Sequence, residues 1–209
     1  AAVDAVIAKD VPISLSLIAK GFDLSVYAKF AAYIRSVAAN SLVEIASHSY
    51  SHQSYTENNL DWQRNDLISA QSLLSSVTGV LPTTFTPPLN LFDSDTLEAL
   101  LSVPELKIFS SKCVWNQNIR GRVTDCDSPA AVTAPDIFRA GSYQLPAGAV
   151  LGGSGYWSNK LQPGNLTEAV KRIETQILNQ NFSVVLLNPA EFSTSTECVS
   201  VDAEKIALL

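Results

Sequence analysis

Two histidines are the residues of this sequence best suited to metal chemistry. His48 and His52 are the only histidines among 209 residues, and they stand four positions apart. Imidazoles at this spacing share one divalent ion when the backbone between them turns or is helical. Ser49 follows His48, which excludes the zinc-protease helix with its glutamate base at that position. Spacing alone leaves two interpretations open, a metal site or a pair of surface histidines beyond a strand.

Other residues with chemical potential give weaker signals. Trp157 follows Gly153-Ser154-Gly155-Tyr156 and has two open interpretations: its flat face covers a sugar ring, or it fills the core. Asp125 and Asp127 flank Cys126, where solvated loop carboxylates are a better interpretation than a cation site. No glycine-rich phosphate loop follows a predicted strand, and there is no Gly-x-Ser-x-Gly nucleophile turn. The sequence thus argues against a nucleotide site and against a serine hydrolase.

Composition limits the class of protein and its partners. Apolar residues make up 46% of the chain and its mean hydropathy is +0.14, so a sizeable core is expected. The length fits a single domain over residues 1–209. The net charge is -6 and the pI about 4.8, which argues against nucleic acid and anionic membrane surfaces as partners. No apolar run approaches the ~18 residues of a membrane-spanning helix.

Several features together predict a secreted glycoprotein. The chain has no Met, which predicts either that a signal or pro-segment is removed from a precursor or that the N-terminus is that of a processed fragment, and it has 25 serines. Asn165 and Asn181 stand in N-glycosylation motifs. Cys113 and Cys126 enclose a 14-residue loop, where a disulfide adds roughly 3 kcal/mol through loop closure. Cys198 is then left without a partner in this chain.

Helical and strand patterns alternate along almost the whole sequence. Such alternation predicts an α/β fold with a parallel sheet and helices outside it. Catalytic residues of such folds follow the carboxyl ends of strands, so His48, the Pro87-Pro88 loop and Asn188 are expected on one face. Predicted strands cover residues 11–17, 42–46, 83–85, 107–110, 147–151 and 182–187. Predicted helices cover residues 3–7, 23–40, 57–77, 96–101 and 170–177.

Four stretches, in the right order, resemble motifs of the polysaccharide deacetylase family (NodB homology, chitin-deacetylase-like). In the segment from Glu44 to His52, a strand precedes His-Ser-x-x-His, which resembles the family's metal-binding motif. The resemblance implies a distorted, incomplete parallel (β/α) barrel. The other stretches are 82–90, which holds the Pro-Pro loop, the helix at 95–100, and the strand with its continuation at 184–192.

The family resemblance also implies a reaction and a set of site residues. The family's activity is metal-dependent hydrolysis of N-acetyl groups on glycans of the chitin or N-acetylglucosamine type. His48 and His52 are the implied metal ligands, with zinc as the expected ion at weak occupancy in the isolated chain. The implied substrate-binding residues are Pro87, Pro88, Asn90, Trp157 and Asn188.

The sequence departs from the family pattern at the positions that do the chemistry. The family's first motif is an Asp pair, one residue being the general base and the other the third metal ligand, and it is expected before Ala1. Thr86 and Leu89 stand where the family has Arg and often Tyr. Asn188 stands where the family has the His that acts as general acid. Each lost acid or base typically lowers the rate 10²–10⁴-fold.

Two hypotheses follow from these departures. One is a secreted N-deacetylase completed by an N-terminal fragment that supplies the missing strand. The other is a non-catalytic relative that binds an N-acetylated glycan, or a structural or storage protein. Both expect an open sheet edge at residues 11–17, covered by that fragment or by a second copy of the chain.

Overall fold

Six strands between Ile13 and Pro146 form one sheet. The computed structural model describes residues 2–111, 136–137, 143–146, 149–151, 170–171, 173–175, 177–179 and 183–187. The strands of this sheet are β1 (Ile13–Leu17), β2 (Val43–Ser47), β3 (Thr84–Phe85), β4 (Ile108–Ser111), β5 (Asp136–Ile137) and β6 (Tyr143–Pro146).

The strand order confirms an α/β fold with a largely parallel, open sheet. The order is β1-β2-β3-β4-β6-β5, and the β2–β3, β3–β4 and β4–β6 pairs are parallel. Only β5 runs antiparallel to its neighbour β6 among the pairs whose register is described. Because β1 and β5 end the order, the described strands form an incomplete barrel, as expected. The outer side of β1 is the edge where the sequence predicts an additional strand, and that strand stays a prediction.

Backbone contacts divide the chain into two units, one of residues Ser14–Pro146 and one of Ala1–Ile13 with Ala147–Leu209. The second unit contains a parallel pair of strands, β7 (Ala149–Leu151) and β8 (Val185–Leu187). It also contains the helical residues 170–171, 173–175 and 177–179. The prediction of a single domain over residues 1–209 stays a prediction.

The helices begin and end at side chains suited to those positions. They are α1 (Ala2–Ile7), α2 (Ala28–Val37), α3 (Leu60–Thr78) and α4 (Ser94–Ala99). The Asn59 side chain accepts from the Trp62 N–H and starts α3, while Gly79, at φ +77°, ends it. Asp93 and Thr96 form a reciprocal capping box at the start of α4. No helix within the described ranges is long and apolar enough to span a membrane.

The prediction that a helix starts at Asp23 is wrong. Residues Ala19–Asp23 form a 3-10 turn, and α2 begins five residues later, at Ala28. The Asp23 carboxylate accepts a 2.6 Å hydrogen bond from the Tyr50 hydroxyl instead of capping a helix. A contact with a residue distant in sequence thus replaces the local cap that the residue type predicts.

The sheet has one apolar and one polar side. Leu17 and Ile45 pack against Ala70 and Leu74 of α3, and Phe85 lies in a neighbouring aromatic cluster. Successive side chains of a strand point to opposite sides of the sheet, and those on the opposite side here carry hydroxyl groups and one carboxylate. Ser14 and Thr84 both donate to the carboxylate of Glu44, and Ser16 lies 2.9 Å from the Thr86 hydroxyl. These bonds connect β1, β2 and β3 across the polar side.

We expect Glu44→Ala to lower the free energy of unfolding by about 1–3 kcal/mol, because the substitution leaves the buried Thr84 hydroxyl without its acceptor. Glu44→Gln is the matched control, since its amide retains one acceptor and donates to the other hydroxyl. Urea unfolding of the three proteins measures the difference. Equal stability of Glu44→Ala and the unmodified chain would show that the carboxylate does not connect the strands.

Candidate metal centre

The loop that carries both histidines is fixed by main-chain bonds to the neighbouring strands. His48 follows β2 directly, and its N–H donates to the Leu17 carbonyl at 2.9 Å. On the other side of β2, the Thr86 N–H donates to the Ser47 carbonyl at 2.9 Å. The Ser49 carbonyl in turn accepts from the Ala19 N–H at 3.0 Å. The loop therefore lies at the carboxyl end of β2, as the sequence predicts, with backbone bonds to the chain after β1 and after β3.

A backbone carbonyl selects the tautomer of His48. The Nδ1 atom of His48 lies 2.7 Å from the Thr86 carbonyl oxygen. A carbonyl oxygen only accepts, so Nδ1 carries the proton and donates it. The neutral ring then keeps a lone pair on Nε2, the atom available to a metal ion. A hydrogen bond from the other ring nitrogen is the usual way in which proteins orient a metal-binding histidine.

The two imidazoles lie next to each other. Their ring centroids are 4.8 Å apart and the ring planes meet at 61°. Two residues of the loop have left-handed backbone conformations, Ser49 at φ +71° and His52 at φ +59°. Each such conformation costs of order 1–3 kcal/mol outside glycine and persists only where surrounding bonds enforce it. One of those bonds is the 2.8 Å contact from the His52 N–H to the Ser49 hydroxyl.

Both rings are neutral near pH 7. The pKa of His48 is lowered to about 4, mainly by burial; the hydrogen bond to the Thr86 carbonyl opposes this shift, and the charge of a protonated His52 adds to it. Burial also lowers the pKa of His52. A metal ion binds only the neutral imidazole. Because both rings are already neutral at pH 7, a cation can bind them without displacing a proton.

The low pKa of His48 predicts a pH-dependent stability in the metal-free protein. The unfolded chain binds a proton on this ring below pH 6.5, and the folded chain does so only near pH 4. The unfolded state therefore binds more protons in this window, and stability falls as the pH falls. Between pH 7 and 4.5 we expect His48 to remove about 2 kcal/mol from the free energy of unfolding. Urea unfolding of His48→Gln should show a flatter profile, and an identical profile would contradict the shift.

Two imidazoles fit a divalent ion, but the described residues bring no third ligand to them. Within residues 2–111 and the shorter described segments, no three His, Cys, Asp or Glu side chains cluster as a metal site would require. A catalytic zinc usually has three protein ligands. Thr86, at the family's arginine position, is buried with its hydroxyl 2.9 Å from that of Ser16. Its side chain is therefore engaged with β1 and is too short to pair with a carboxylate bidentately.

The proline loop lies beyond β3 but exposes little of its prolines. Pro87 and Pro88 are buried, and Pro88–Asn90 forms a 3-10 turn. Leu89, at the family's tyrosine position, is 50% exposed and has φ +58°, while Asn90 has φ +60°. The Ser111 hydroxyl donates to the Asn90 carbonyl at 3.1 Å. A substrate-binding role for Pro87, Pro88 and Asn90 stays a prediction.

Several residues singled out in the sequence lie outside the described residues. For these the substrate-binding, disulfide, glycosylation and cation interpretations stay predictions. They are Trp157, Asn188, Cys113, Cys126, Cys198, Asn165, Asn181, Asp125 and Asp127.

Sequence reasoning missed Asp66. This residue lies in α3, is 5% exposed, and accepts hydrogen bonds from the loop between the histidines. The available signal was a charged residue at a core position of an amphipathic helix, directly before the fully buried Leu67. Buried carboxylates need partners, so a carboxylate at such a position points to donors on a neighbouring segment.

The family model for polysaccharide deacetylase matches residues 9–104. This range contains β1, β2, β3 and both histidines. No protein with a curated description matches the chain. The match therefore covers slightly less than half of the sequence and includes the His48–His52 motif but not Asn188.

Solved structures share the fold at low sequence identity. A candidate polysaccharide deacetylase from Mycobacterium smegmatis is 16% identical, with 90% of this chain and 61% of that chain covered and a TM-score of 0.56. A CE4 family pseudoenzyme from Bacillus anthracis is 12% identical, with 98% and 53% covered and a TM-score of 0.52. PuuE allantoinase is 14% identical, with 88% and 56% covered and a TM-score of 0.54.

The chain thus spans between about half and three fifths of the length of these three proteins. At these identities the similarity establishes the fold alone. The resemblance inferred from the histidine motif is confirmed by the family match. The family model thus matches residues 9–104, and the solved structures show that the chain shares the fold of polysaccharide deacetylases.

Proposed function

We propose that this chain is a secreted, degenerate polysaccharide deacetylase that binds an N-acetylated glycan beside a weak metal site and does not hydrolyse it. The observation that carries the proposal is the His48–His52 pair. Its rings are 4.8 Å apart, and the Thr86 carbonyl holds His48 as the tautomer with Nε2 available. An ordered pair of this kind supports metal binding, while two ligands support only weak binding.

Deacetylation needs more groups than this pair provides. The metal ion of this family supplies an activated water molecule and polarises the amide carbonyl. The protein must add a base for the water and an acid for the departing amine. His48 and His52, on the loop that follows β2, would hold the ion. Thr86 cannot orient a catalytic carboxylate, and Asn188, at the family's acid position, cannot protonate a nitrogen.

The glycan-binding part of the proposal rests on what these losses leave intact. A neutral Asn188 retains a donor and an acceptor for an acetamide group. Pro87 and Pro88 are buried and directly follow Thr86, whose carbonyl binds the His48 ring. Among proteins of the same fold, a Bacillus anthracis member is described as a pseudoenzyme, and a mutant of it as having restored enzymatic activity. Those descriptions support a family in which activity is lost while the fold persists.

The second candidate is an enzyme completed by a separate segment. The specific observation in its favour is the strained backbone of the histidine loop at Ser49 and His52, because strain of this kind is often found at functional sites. In that candidate, a strand with an Asp pair adds to the outer edge of β1 and supplies the base and the third ligand. A secreted location, supported by the two glycosylation motifs and the cysteines, is common to both candidates.

Binding of chitin oligomers tests the proposal. With histidine labelled in ¹³C and ¹⁵N, the two rings give separate NMR signals. We expect N-acetylglucosamine tetramer, in the presence of zinc, to shift these signals, and glucosamine tetramer to leave them unchanged. Equal responses to both sugars would show that the acetyl groups are not recognised. No response to either would remove the glycan from this site.

A further inference from the structure

The Asp66 carboxylate gathers donors from one short stretch of chain. Its Oδ2 accepts from the Tyr50 N–H and from the Tyr55 hydroxyl, both at 2.8 Å. Its Oδ1 accepts from the Ser51 N–H at 3.1 Å and from the Ser51 hydroxyl at 2.7 Å. Three of the four donors belong to Tyr50 and Ser51, which stand between the two histidines. Asp66 itself is 5% exposed, so these bonds form away from bulk water.

The bonds act on the part of the loop that sets the ring geometry. Ser49 and His52, the residues on either side of the Tyr50-Ser51 pair, have the two left-handed conformations. Such conformations persist where the surroundings over-determine the backbone. Two adjacent N–H groups directed at one carboxylate provide that constraint, and bonds to an ionised acceptor are about twice as strong as neutral ones. The constraint comes from α3, an element separate from the strands that bind His48.

We propose that Asp66 is a positioning residue of the metal centre: by binding the main chain of Tyr50 and Ser51, it sets the distance and angle between the His48 and His52 rings. Its effect on metal affinity rests on the proposed function, whereas its effect on ring geometry is independent of any metal. Groups that orient a ligand without touching the ion typically change metal affinity 10–100-fold when they are removed.

Asp66→Asn is the most informative substitution, because it keeps the shape of the side chain. An amide has one acceptor oxygen, and its nitrogen only donates. In either orientation the nitrogen faces one of the two main-chain N–H groups, which cannot turn to accept. One end of the Tyr50-Ser51 segment therefore loses its anchor. Asp61→Asn is the matched control, since Asp61 lies on the same helix with a side chain that is 87% exposed.

The first measurement is made without metal. In the unmodified chain, labelled with ¹³C and ¹⁵N at histidine, we expect a cross-relaxation peak between the His48 and His52 rings. Asp66→Asn should remove this peak and shift both ring signals, and Asp61→Asn should leave them as they are. Unchanged ring signals in a folded Asp66→Asn protein would overturn the positioning role.

The second measurement is a zinc titration of the same proteins. We expect Asp66→Asn to weaken zinc binding at least tenfold and Asp61→Asn to leave it unchanged. If the unmodified chain binds no zinc, the proposed metal site fails, while the ring signals still decide the role of Asp66. If Asp66→Asn does not fold, Asp66→Glu replaces it, because it keeps the charge and both acceptors but moves the carboxylate by one methylene group away from the Tyr50 and Ser51 N–H groups. Ring signals unchanged in a folded Asp66→Glu protein would then overturn the proposal.

Discussion

Replacing His48 by alanine is expected to abolish zinc binding by the 209-residue chain. The described residues offer two imidazole ligands and no clustered third one, so removal of one leaves a single imidazole on a loop. A single imidazole on a loop holds zinc too weakly for the titration to detect, since even a catalytic zinc site usually has three protein ligands. Isothermal calorimetry with zinc at pH 7, where both rings are neutral, measures the loss.

His52→Ala should produce the same loss, because either ring alone is insufficient. Asp61→Asn, which changes an exposed charge on α3, should bind zinc like the unmodified chain. Submicromolar zinc affinity in the unmodified chain would mean that a third protein ligand completes the site. Retention of affinity in His48→Ala would show that zinc binds elsewhere.

The second large effect is catalysis when a base, a third metal ligand and an acid are supplied together. Asn188→His alone should give no turnover, since the described residues bring no third ligand and no carboxylate base to the histidine pair. An added N-terminal strand carrying an Asp pair, combined with Asn188→His, should give measurable acetate release from N-acetylglucosamine oligomers. Each general acid or base contributes about 10²–10⁴-fold, so the combined gain is expected to exceed any single gain by orders of magnitude.

The matched control carries the same added strand with both Asp residues changed to Asn. This protein should cover the edge of β1 equally well and remain inactive, which separates completion of the sheet from completion of the site. Turnover by Asn188→His without the added strand would contradict the account, because it would show that a base and a third ligand are already present in the chain.

Local sequence signals predicted most of the elements in the described part of the chain. The strand pattern of β1 and the helical patterns of α3 and α4 depend on neighbours in sequence, and each element formed within a few residues of its predicted bounds. The same holds for the position of His48 directly after β2. The hydrophobic period suffices for these elements because it is set by residues close in sequence.

Contacts between distant residues account for what the sequence did not reveal. Asp23 has the side chain of a helix cap, yet the Tyr50 hydroxyl engages it, and the helix starts later. The tautomer of His48 depends on the carbonyl of Thr86, a group that every residue type has. Asp66 matters through donors fifteen and sixteen positions away, which no local pattern encodes.

The most direct test of the central claim is an assay of acetate release by the unmodified 209-residue chain. The substrate is N-acetylglucosamine oligomer, with zinc or cobalt in excess so that the weak site is filled. An incomplete site with a bound ion, no oriented base and no acid predicts a rate indistinguishable from the rate without protein, alongside detectable binding of the oligomer. Clear turnover that disappears in His48→Ala would contradict the account and make this chain an active deacetylase.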